Sequence, residues 1–526
     1  METESVLKRI KSFKYIIVLE GVAVGFLAGI AVSFFRLFIE RAEALRNIFI
    51  NQDISLLTLL PFIFAGIIIY LCIRFEKNAC GSGIPQVKAE LAGQLQTCWW
   101  RVIAAKIAGG VAAIGIGFSV GREGPSVQIG AMAGKGFSRL TGRLRTEERL
   151  LITAGSGAGL AAAFNAPLAG VVFSLEEIHK NLSVEVLLAS MSAAICSDFV
   201  SAYIFGFSPV FSINPEYILP LKHYWLILIL GIVLGICGAL YNIGIRYIQK
   251  AYSLLKFTWI KVLVPIVCTA VLCYTYPYVL GGGSSLVDSL SENSFTISAL
   301  LMLLAVKYVF SMISFGSGTP GGIFLPLLVL GSITGDIFAK ALGYDMYLDN
   351  FIILGMAGYF SAIVKSPVTG IILISEMTGS LSHLLSLTLI CLVSYTVSDI
   401  MKSQPVYEQL LDSLLGGVSK KSRGHNKVML ESCVQFGSAL DGSRLEKLGA
   451  PKGCLVIAVN RRGEEIVPDG ATVLMADDNL LLLCNEDKVY ETELLLAKLC
   501  RSIEKRALLP FFVCLTSLFC LVFSVR

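Results

Sequence analysis

The chain has 526 residues, of which 55% are hydrophobic and only 15% are charged, and its mean hydropathy is +0.74. Soluble domains carry about a quarter charged residues, so this composition excludes a water-soluble globular enzyme as the whole protein. It also excludes a disordered chain, which needs low hydrophobicity and high net charge. A formal net charge of +5 is too weak to indicate a nucleic-acid partner.

Long apolar segments recur along the first 415 residues. A membrane-spanning helix needs about 20 predominantly apolar residues, and the segments of that length are 15–39, 56–74, 183–206, 224–246, 258–280, 297–315 and 382–400. Shorter apolar pieces, interrupted by glycine and proline, lie between them at 83–94, 99–120, 124–137, 150–163, 167–177, 321–340, 350–364 and 366–377. Broken helices inside a membrane are tolerated only where they are buried in protein or line an aqueous cavity. The pattern therefore predicts a transporter or channel.

Two of these regions resemble each other. Segment 151–177 reads LITAGSGAGLAAAFNAPLAGVVFSLEE, and segment 351–377 reads FIILGMAGYFSAIVKSPVTGIILISEM. When the two segments are aligned without gaps, the matched residues are Gly155 with Gly355, Ala162 with Ala362, Pro167 with Pro367, Gly170 with Gly370 and Glu176 with Glu376. Chance similarity between membrane helices rich in glycine and alanine is the alternative, but the ordered run favours a repeat. Two such halves predict a transporter whose site lies between them, and the spacing alone does not say whether they are inverted.

Three glycine-rich turns precede short helices and carry the main chemical signal. They are GSGIP (81–85), GREGP (121–125) and GSGTPGGIFLP (316–326). The first N–H groups of a helix lack internal partners and carry partial positive charge, so several helix starts aimed at one point can hold an anion without a full cation. The helix-start residues of this prediction are Gly81, Gly83, Pro85, Gly121, Arg122, Gly124, Pro125, Gly322 and Pro326. A packing kink is the alternative for any single turn.

Acidic residues beside these turns are candidates for proton transfer. Glu123 lies inside GREGP, where its carboxylate could occupy an anion site and leave on protonation, unless it merely pairs with Arg122. Glu176 and Glu177 are adjacent acids, and such a pair discourages double ionisation. A solvated helix end beside His179 is the alternative for them. Tyr407 can donate to an anion, although a tyrosine near the end of an apolar run is often an interfacial anchor.

The sequence gives no sign of a metal site or of an enzyme. The 14 cysteines are scattered without a C-x-x-C pair, and the four histidines are far apart. No nucleophile and base occur together in a recognisable motif. We therefore predict no metal, no cofactor for the transport unit and no catalytic residues.

Five ordered motifs, GSGIPQ, GREGPSVQIG, FNAPLAGVVFSLEE, GTPGGIFLPLLVLG and SPVTGIILISEMTG, together resemble the CLC family of chloride channels and chloride/proton exchangers. The resemblance covers about residues 10–415. It implies an all-α polytopic protein of a cell membrane, with two inverted halves of tilted and broken helices at about 15–206 and 224–402. It also implies a homodimer, with chloride, protons and the lipid bilayer as partners.

The same resemblance assigns roles to matching residues. The side chains of Ser82 and Tyr407 and the backbone N–H groups of Ile323 and Phe324 would bind chloride, and Glu123 would be the gate and proton carrier. Glu177 would be the internal proton acceptor. Passive channels of the family commonly lack an acid at that position, so its presence favours an exchanger. A gated chloride channel of the same fold remains the alternative.

The composition changes after Leu415. Residues 416–427 form a basic linker, and residues 428–503 read as a small α+β domain with β-type runs at 454–460 and 479–485 and a closing helix at 487–503. This region is similar to the TrkA-C regulatory domain of potassium-uptake proteins, which implies a small ligand such as a cyclic dinucleotide or a divalent ion.

Two features of the sequence bear on topology. Basic residues in the linker and at the N-terminus predict that both the regulatory domain and the N-terminus are cytoplasmic. The apolar tail at 507–525 fits neither resemblance, and an additional span and an interfacial segment both stay open for it.

Overall fold

A computed structural model describes residues 2–50, 56–180, 183–207, 209–211, 213, 215, 217–292, 295–415, 427–435, 437–451, 453–461, 464–485, 492, 495, 496, 499 and 500. The chain divides into two compact units, Met1–Leu415 and Gly416–Arg526. Most of the helix predicted at 487–503 and the whole apolar tail at 507–525 lie outside the described residues.

The first unit is helical. Its described part contains seventeen α-helices: α1 (Glu2–Ile50), α2 (Leu56–Phe75), α3 (Ile84–Leu91), α4 (Trp99–Gly115), α5 (Glu123–Leu140), α6 (Arg145–Phe164), α7 (Pro167–Phe173), α8 (Val184–Phe205), α9 (Tyr224–Leu254), α10 (Thr258–Thr275), α11 (Ser284–Glu292), α12 (Ile297–Gly316), α13 (Phe324–Ala341), α14 (Leu348–Val364), α15 (Pro367–Met377), α16 (Leu384–Ile400) and α17 (Val406–Leu415). Several of them, such as α3 and α7, are far too short to cross a bilayer, as expected for broken helices.

The apolar helices confirm a membrane protein with several spans. Among the described residues, seven helices are long and apolar enough to cross a bilayer. Two of them, Phe324–Ala341 and Asp345–Val364, come from regions whose glycines had suggested shorter pieces. The most apolar 18-residue stretch of Phe324–Ala341 is 72% buried within the protein, and that of Asp345–Val364 is 83% buried. Their glycines therefore serve close packing between helices rather than interruption of the helix.

Helices α1–α8 and α9–α16 repeat the same order, and the contacts between the halves are reciprocal. Glu176, which follows α7, accepts hydrogen bonds from the backbone amides of Val368 and Thr369 at the start of α15, at 3.2 and 2.7 Å. Glu376, near the end of α15, accepts from Leu168 and Ala169 at the start of α7, at 3.1 and 2.7 Å. Such an exchange is the signature of two halves related by an approximate two-fold axis.

Close helix crossings explain the glycines of the repeat. Where α5 crosses α6, a Cβ atom added to Gly130 would lie 2.1 Å from the carbonyl oxygen of Gly155. Where α13 crosses α14, a Cβ atom on Gly331 would lie 2.4 Å from the carbonyl oxygen of Gly355. Small residues let membrane helices approach to backbone contact. Gly130 and Gly331 therefore mark the same kind of helix crossing in each half.

The second unit contains a four-stranded antiparallel sheet in the order β1-β4-β2-β3. Its strands are β1 (Lys427–Cys433), β2 (Cys454–Arg461), β3 (Glu464–Ile466) and β4 (Asn479–Asn485). Both β-type runs of the sequence are strands. Leu480, Leu482 and Cys484 are buried on one face of β4, as period-two alternation requires. With Val434, Leu440 and other apolar side chains they form the core of this unit.

Candidate functional site

The three glycine-rich turns meet in the middle of the first unit. Gly121 and Gly322 exchange two backbone hydrogen bonds, each 2.7 Å long. The amide of Gly81 donates to the carbonyl of Gly318 at 3.0 Å, and the amide of Gly321 donates to the carbonyl of Gly81 at 3.1 Å. Backbone bonds thus join turns that are distant in the sequence, so the helices that follow them begin close together.

Two of these positions admit no side chain because of their neighbours. A Cβ atom on Gly121 would lie 2.0 Å from a carboxylate oxygen of Glu123, and one on Gly124 would lie 2.4 Å from the hydroxyl oxygen of Ser82. Gly81 and Gly83 have φ angles of +65° and +101°, in the left-handed region that glycine adopts readily. Close approach and backbone conformation therefore both require glycine here.

The helix starts have the predicted chemistry. Pro85 stands in the first turn of α3, and Pro125 and Pro326 occupy the third positions of α5 and α13. A proline this early sacrifices no hydrogen bond of the helix, because the first amides have no internal partner. The free N–H groups at the starts of α5 and α13 consequently point into the region where the turns meet.

Two hydroxyl groups beside these helix starts are buried without partners. The hydroxyl oxygens of Ser82 and Tyr407 accept and donate no hydrogen bond among the described residues. Ser82 is 2% exposed and Tyr407 is fully buried, which is inconsistent with an interfacial anchor. Tyr407 reaches this depth because α17 packs against α3 and α14. Buried hydroxyls normally find partners, so these two are candidates for donating to a ligand.

Apolar side chains close one side of this region. Ile323 and Phe324, at the start of α13, are both completely buried. The ring centroid of Phe324 lies 4.7 Å from that of Phe360 and 5.6 Å from that of Phe164. Backbone N–H groups in such dry surroundings interact strongly with an anion because little solvent screens them. We call Ser82, Glu123, Ile323, Phe324 and Tyr407 the central site.

Glu123 is the acidic member of the central site. It is the first residue of α5 and is completely buried. Its carboxylate lies beside the backbone amide of Leu325 in α13, yet neither oxygen accepts a well-formed hydrogen bond from the described residues. Arg122 approaches Glu40 to 4.0 Å and, in the part of the chain that the structure describes, forms no ion pair with Glu123. The alternative of a simple Arg122–Glu123 pair is therefore not supported.

Glu177 and Glu176 have different surroundings. Glu177 is 3% exposed, lies in the π-helical turn Ser174–His179, and accepts hydrogen bonds from the Lys88 ammonium at 2.7 Å and from the Ser366 hydroxyl at 2.8 Å. Glu176 instead caps α15. The two carboxylates therefore act separately, and Glu177 is not a solvated helix end. Tyr407 lies close enough to both Glu123 and Glu177 to interact electrostatically with each.

Two buried lysines were missed by the sequence reasoning. Lys106 donates to the carbonyl oxygens of Ala79 and Gly81 at 3.0 and 2.7 Å. In the second half, Lys307 donates to the carbonyls of Val279 and Gly281, both at 2.9 Å. Each ammonium holds the loop before a short broken helix, α3 or α11. The sequence signal that could have identified these two residues is a single lysine inside an apolar helix, because a buried ammonium needs hydrogen-bond acceptors.

The arrangement can bind a small anion by donors alone. Two hydroxyls without partners lie beside the starts of α5 and α13, and the nearby Lys106 ammonium is already engaged by carbonyls. The structure thus brings together all five residues that the resemblance assigned to anion binding and gating, with Glu177 on a separate element.

Known proteins resemble the two parts of the chain separately. Residues 64–399, well over half of the chain, match the family described as "voltage gated chloride channel". Residues 429–497 match the family described as "TrkA-C domain".

Several curated relatives carry one name. The H(+)/Cl(-) exchange transporter ClcA of Vibrio parahaemolyticus is 32% identical over 429 residues, which cover 77% of this chain and 91% of the relative. That of Vibrio vulnificus is 34% identical over 412 residues, covering 74% and 87%. That of Yersinia pestis is 33% identical over 392 residues, covering 71% and 81%.

Solved structures agree on the fold. A slow cyanobacterial Cl-/H+ antiporter superposes with a TM-score of 0.72 at 28% identity, over 76% of this chain and 98% of the antiporter. A eukaryotic CLC transporter superposes with a TM-score of 0.64 at 22% identity, over 76% and 74% of the two chains, and supports the fold alone.

Proposed function

The chain belongs to the voltage-gated chloride channel (CLC) family, and on that premise we propose that it exchanges chloride for protons across a cell membrane. The relatives named above are H(+)/Cl(-) exchange transporters, and the more similar solved structure is a Cl-/H+ antiporter. The activity is transport, which breaks no covalent bond of a substrate, so we assign no catalytic residue.

The observation that carries the proposal is the Glu123 carboxylate. It is completely buried at the start of α5, its oxygens accept no well-formed hydrogen bond from the described residues, and the orphan hydroxyl of Ser82 lies on the adjacent turn. A buried carboxylate without a partner is costly, so such a group usually has a function. We propose that charged Glu123 takes the place of a chloride ion, and that protonated Glu123 withdraws and lets chloride bind to the helix-start amides, Ser82 and Tyr407.

Glu177 supplies the second half of the exchange in this proposal. Its carboxylate is buried and has partners different from those of Glu176, namely Lys88 and Ser366. Protons from one side of the membrane reach Glu177, and those from the other side reach Glu123. A gated chloride channel is the second candidate, favoured only by the family description; an acid at position 177 favours exchange.

The proposal is tested in liposomes that contain the purified protein and a pH-sensitive dye. An imposed chloride gradient should drive protons in the opposite direction. Glu123→Gln should keep chloride flux and abolish proton movement, since a neutral side chain cannot carry a proton. Glu177→Gln should also keep chloride flux and stop protons. Chloride currents whose reversal potential ignores pH would identify a channel instead.

Assembly, orientation and regulation complete the proposal. We place the N-terminus and the C-terminal unit in the cytoplasm, because the basic residues of the N-terminus and of the linker at 416–427 follow the positive-inside rule. Family membership supports a homodimer with one anion path in each subunit. The TrkA-C match supports a small regulatory ligand, a cyclic dinucleotide or a divalent ion, on residues 428–503. Light scattering of the detergent-solubilised protein tests the dimer, and calorimetry with each ligand tests the site.

A further inference from the structure

A buried lysine contacts the carboxylate of Glu177 directly. Lys88 is the fifth residue of the broken helix α3. Its ammonium nitrogen lies 2.7 Å from Oε1 of Glu177, and the two side chains are only 7% and 5% exposed. The other carboxylate oxygen accepts from the Ser366 hydroxyl at 2.8 Å. Both oxygens of Glu177 are thus occupied by protein donors, and one donor carries a transferable proton.

Lys88 also lines a cavity of about 510 Å³. The lining also contains charged and titratable side chains from other segments: Arg149 of α6, His179 of the π-helical turn and Lys180 just after it, and Glu408 and Asp412 of α17. Glu177 is not among the described residues that line it. On the side of α5, Lys135 is already paired with Glu90 of α3. Lys88 is therefore the residue that touches both the cavity and Glu177.

Charge balance decides how a proton can reach Glu177. Adding a proton to its carboxylate while Lys88 stays charged would leave a buried ammonium without its counter-ion, which is strongly unfavourable. Moving the proton of Lys88 itself onto Glu177 converts a charged pair into a neutral pair, so no unpaired charge is buried. Lysine can give up its proton in a buried site, whereas arginine keeps its charge.

We propose that Lys88 relays protons from this cavity to Glu177. One N–H bond of the ammonium breaks and an O–H bond forms on Oε1, leaving a neutral amine and a neutral carboxylic acid. Glu177 passes its proton towards Glu123 and becomes a carboxylate again as the amine of Lys88 takes a proton from the aqueous side of the cavity, so the charged pair re-forms without leaving one charge unpaired. One proton has moved and both groups are restored. The inference rests on the proposed exchange function.

The test compares three substitutions at position 88 in the full-length protein in liposomes. Lys88→Arg retains the positive charge but cannot release a proton, so proton flux should fall at least tenfold while chloride flux stays within about twofold of wild type. Lys88→Met should give the same pattern. Lys88→His, whose ring exchanges protons near neutral pH, should recover part of the proton flux. A counter-ion that only positions Glu177 would instead give normal coupling with arginine.

Lys135→Arg is the matched control. Lys135 is also a buried lysine paired with a buried carboxylate, that of Glu90, but among the described residues it neither pairs with Glu177 nor lines the cavity. This substitution should leave both fluxes within about twofold of wild type. Proton flux in Lys88→Arg equal to wild type would overturn the relay while leaving the exchange function intact. A wild-type protein that moves no protons against chloride would overturn the exchange function itself.

Discussion

Ser82 and Tyr407 place hydroxyl groups where burial without a partner is unfavourable. A buried donor or acceptor left unsatisfied costs about 1–3 kcal/mol, and neither hydroxyl has a partner among the described residues. An anion bound between them would satisfy both, so ligand binding should stabilise the protein. The two hydroxyls should therefore contribute to anion affinity at the central site.

Tyr407→Phe and Ser82→Ala should each weaken chloride binding. A hydrogen bond to a charged group contributes roughly 1.5–3 kcal/mol, so the dissociation constant should rise about tenfold or more for either substitution. Calorimetric titration of the detergent-solubilised protein with chloride measures this change. Tyr252→Phe is the control, because the Tyr252 hydroxyl donates at 3.0 Å to the carbonyl of Ile313, away from the central site. Unchanged affinity in both central-site variants would contradict the assignment.

In the C-terminal unit, Asp478 is held by Arg461. The Nε and Nη2 atoms of Arg461 lie 2.8 and 2.6 Å from the two carboxylate oxygens of Asp478. Burial opposes ionisation of Asp478, but the bonds from Arg461 and from the backbone amide of Met475 outweigh it, so the pKa of Asp478 lies below its ordinary value of 3.8. Its contribution to stability is therefore complete above about pH 3.8.

That pair predicts a defined pH dependence. Asp478→Asn should lower the urea midpoint of the C-terminal unit at pH 7, and the difference from wild type should stay constant down to about pH 4. Below that, as the pH falls through the lowered pKa, the difference should shrink, because protonated Asp478 no longer attracts Arg461. Pulsed hydrogen exchange of the β4 peptide in the full-length chain follows this unfolding. A difference that persists undiminished to pH 2 would contradict the prediction.

At the scale of elements, helices α7 and α15 are capped by acids from the opposite half. Glu376 accepts two amide hydrogen bonds at the start of α7, where the helix dipole also favours a negative charge. The repeat in the sequence matches Glu376 with Glu176, and each of the two acids caps a helix of the other half. Capping accounts for both oxygens of Glu376, which indicates a structural role for this residue.

Glu376→Ala should destabilise the protein without uncoupling it. Loss of a helix cap costs about 0.5–2 kcal/mol, so the thermal midpoint in detergent should fall by a few degrees. Proton and chloride fluxes per folded protein should keep the wild-type ratio. Glu176→Ala removes the equivalent cap of α15 and should cause a similar fall in midpoint. Loss of coupling in the Glu376 variant would show that capping is not its main role.

The sequence predicted where the broken helices begin better than it predicted which helices can span the membrane. GSGIP and GREGP correctly marked the starts of α3 and α5, because proline is compatible with the first turn of a helix and glycine with the bend before it. Segment 321–340 was grouped with the shorter, interrupted pieces, whereas α13 is an unbroken 18-residue helix that is long and apolar enough to cross a bilayer. Local sequence does not distinguish a glycine that bends the chain from one that lets another helix pack against it, such as Gly331.

At the scale of the molecule, the two halves are equivalent in structure and unequal in the proposed function. Lys106 and Lys307 hold corresponding loops with corresponding pairs of bonds. The loop held by Lys106 carries Ser82 of the central site. The loop held by Lys307 is linked by the amide of Gly281 to the carbonyl of Gly117, at 2.9 Å, and carries none of the five central-site residues.

Lys106→Met and Lys307→Met should therefore have similar effects on stability and different effects on transport. Each leaves two buried carbonyls without a donor, which costs about 1–3 kcal/mol per group. Both thermal midpoints should fall by comparable amounts. Chloride affinity should weaken in Lys106→Met and stay near wild type in Lys307→Met. Calorimetry at a temperature where both variants are folded separates the two effects, and equal losses of affinity would contradict the functional asymmetry.

Reciprocal contacts between the halves lay beyond sequence reasoning. The repeat indicated that Glu176 and Glu376 correspond, but not that each one caps a helix in the other half. Likewise, Lys88 reads as an ordinary residue after GSGIPQ, and its contact with Glu177 depends on how α3 packs against the π-helical turn. Contacts between distant segments follow from tertiary packing, so local patterns could not supply them.

The bridge between Gly121 and Gly322 has a consequence for biosynthesis. Emerging from the ribosome, the chain presents Ser82 and Glu123 long before the segment that completes their pocket has been made. Every nascent intermediate shorter than about 322 residues lacks the Gly322 backbone that pairs with Gly121. Because Ile323, Phe324 and Tyr407 are synthesised later still, the central site can be completed only late in synthesis.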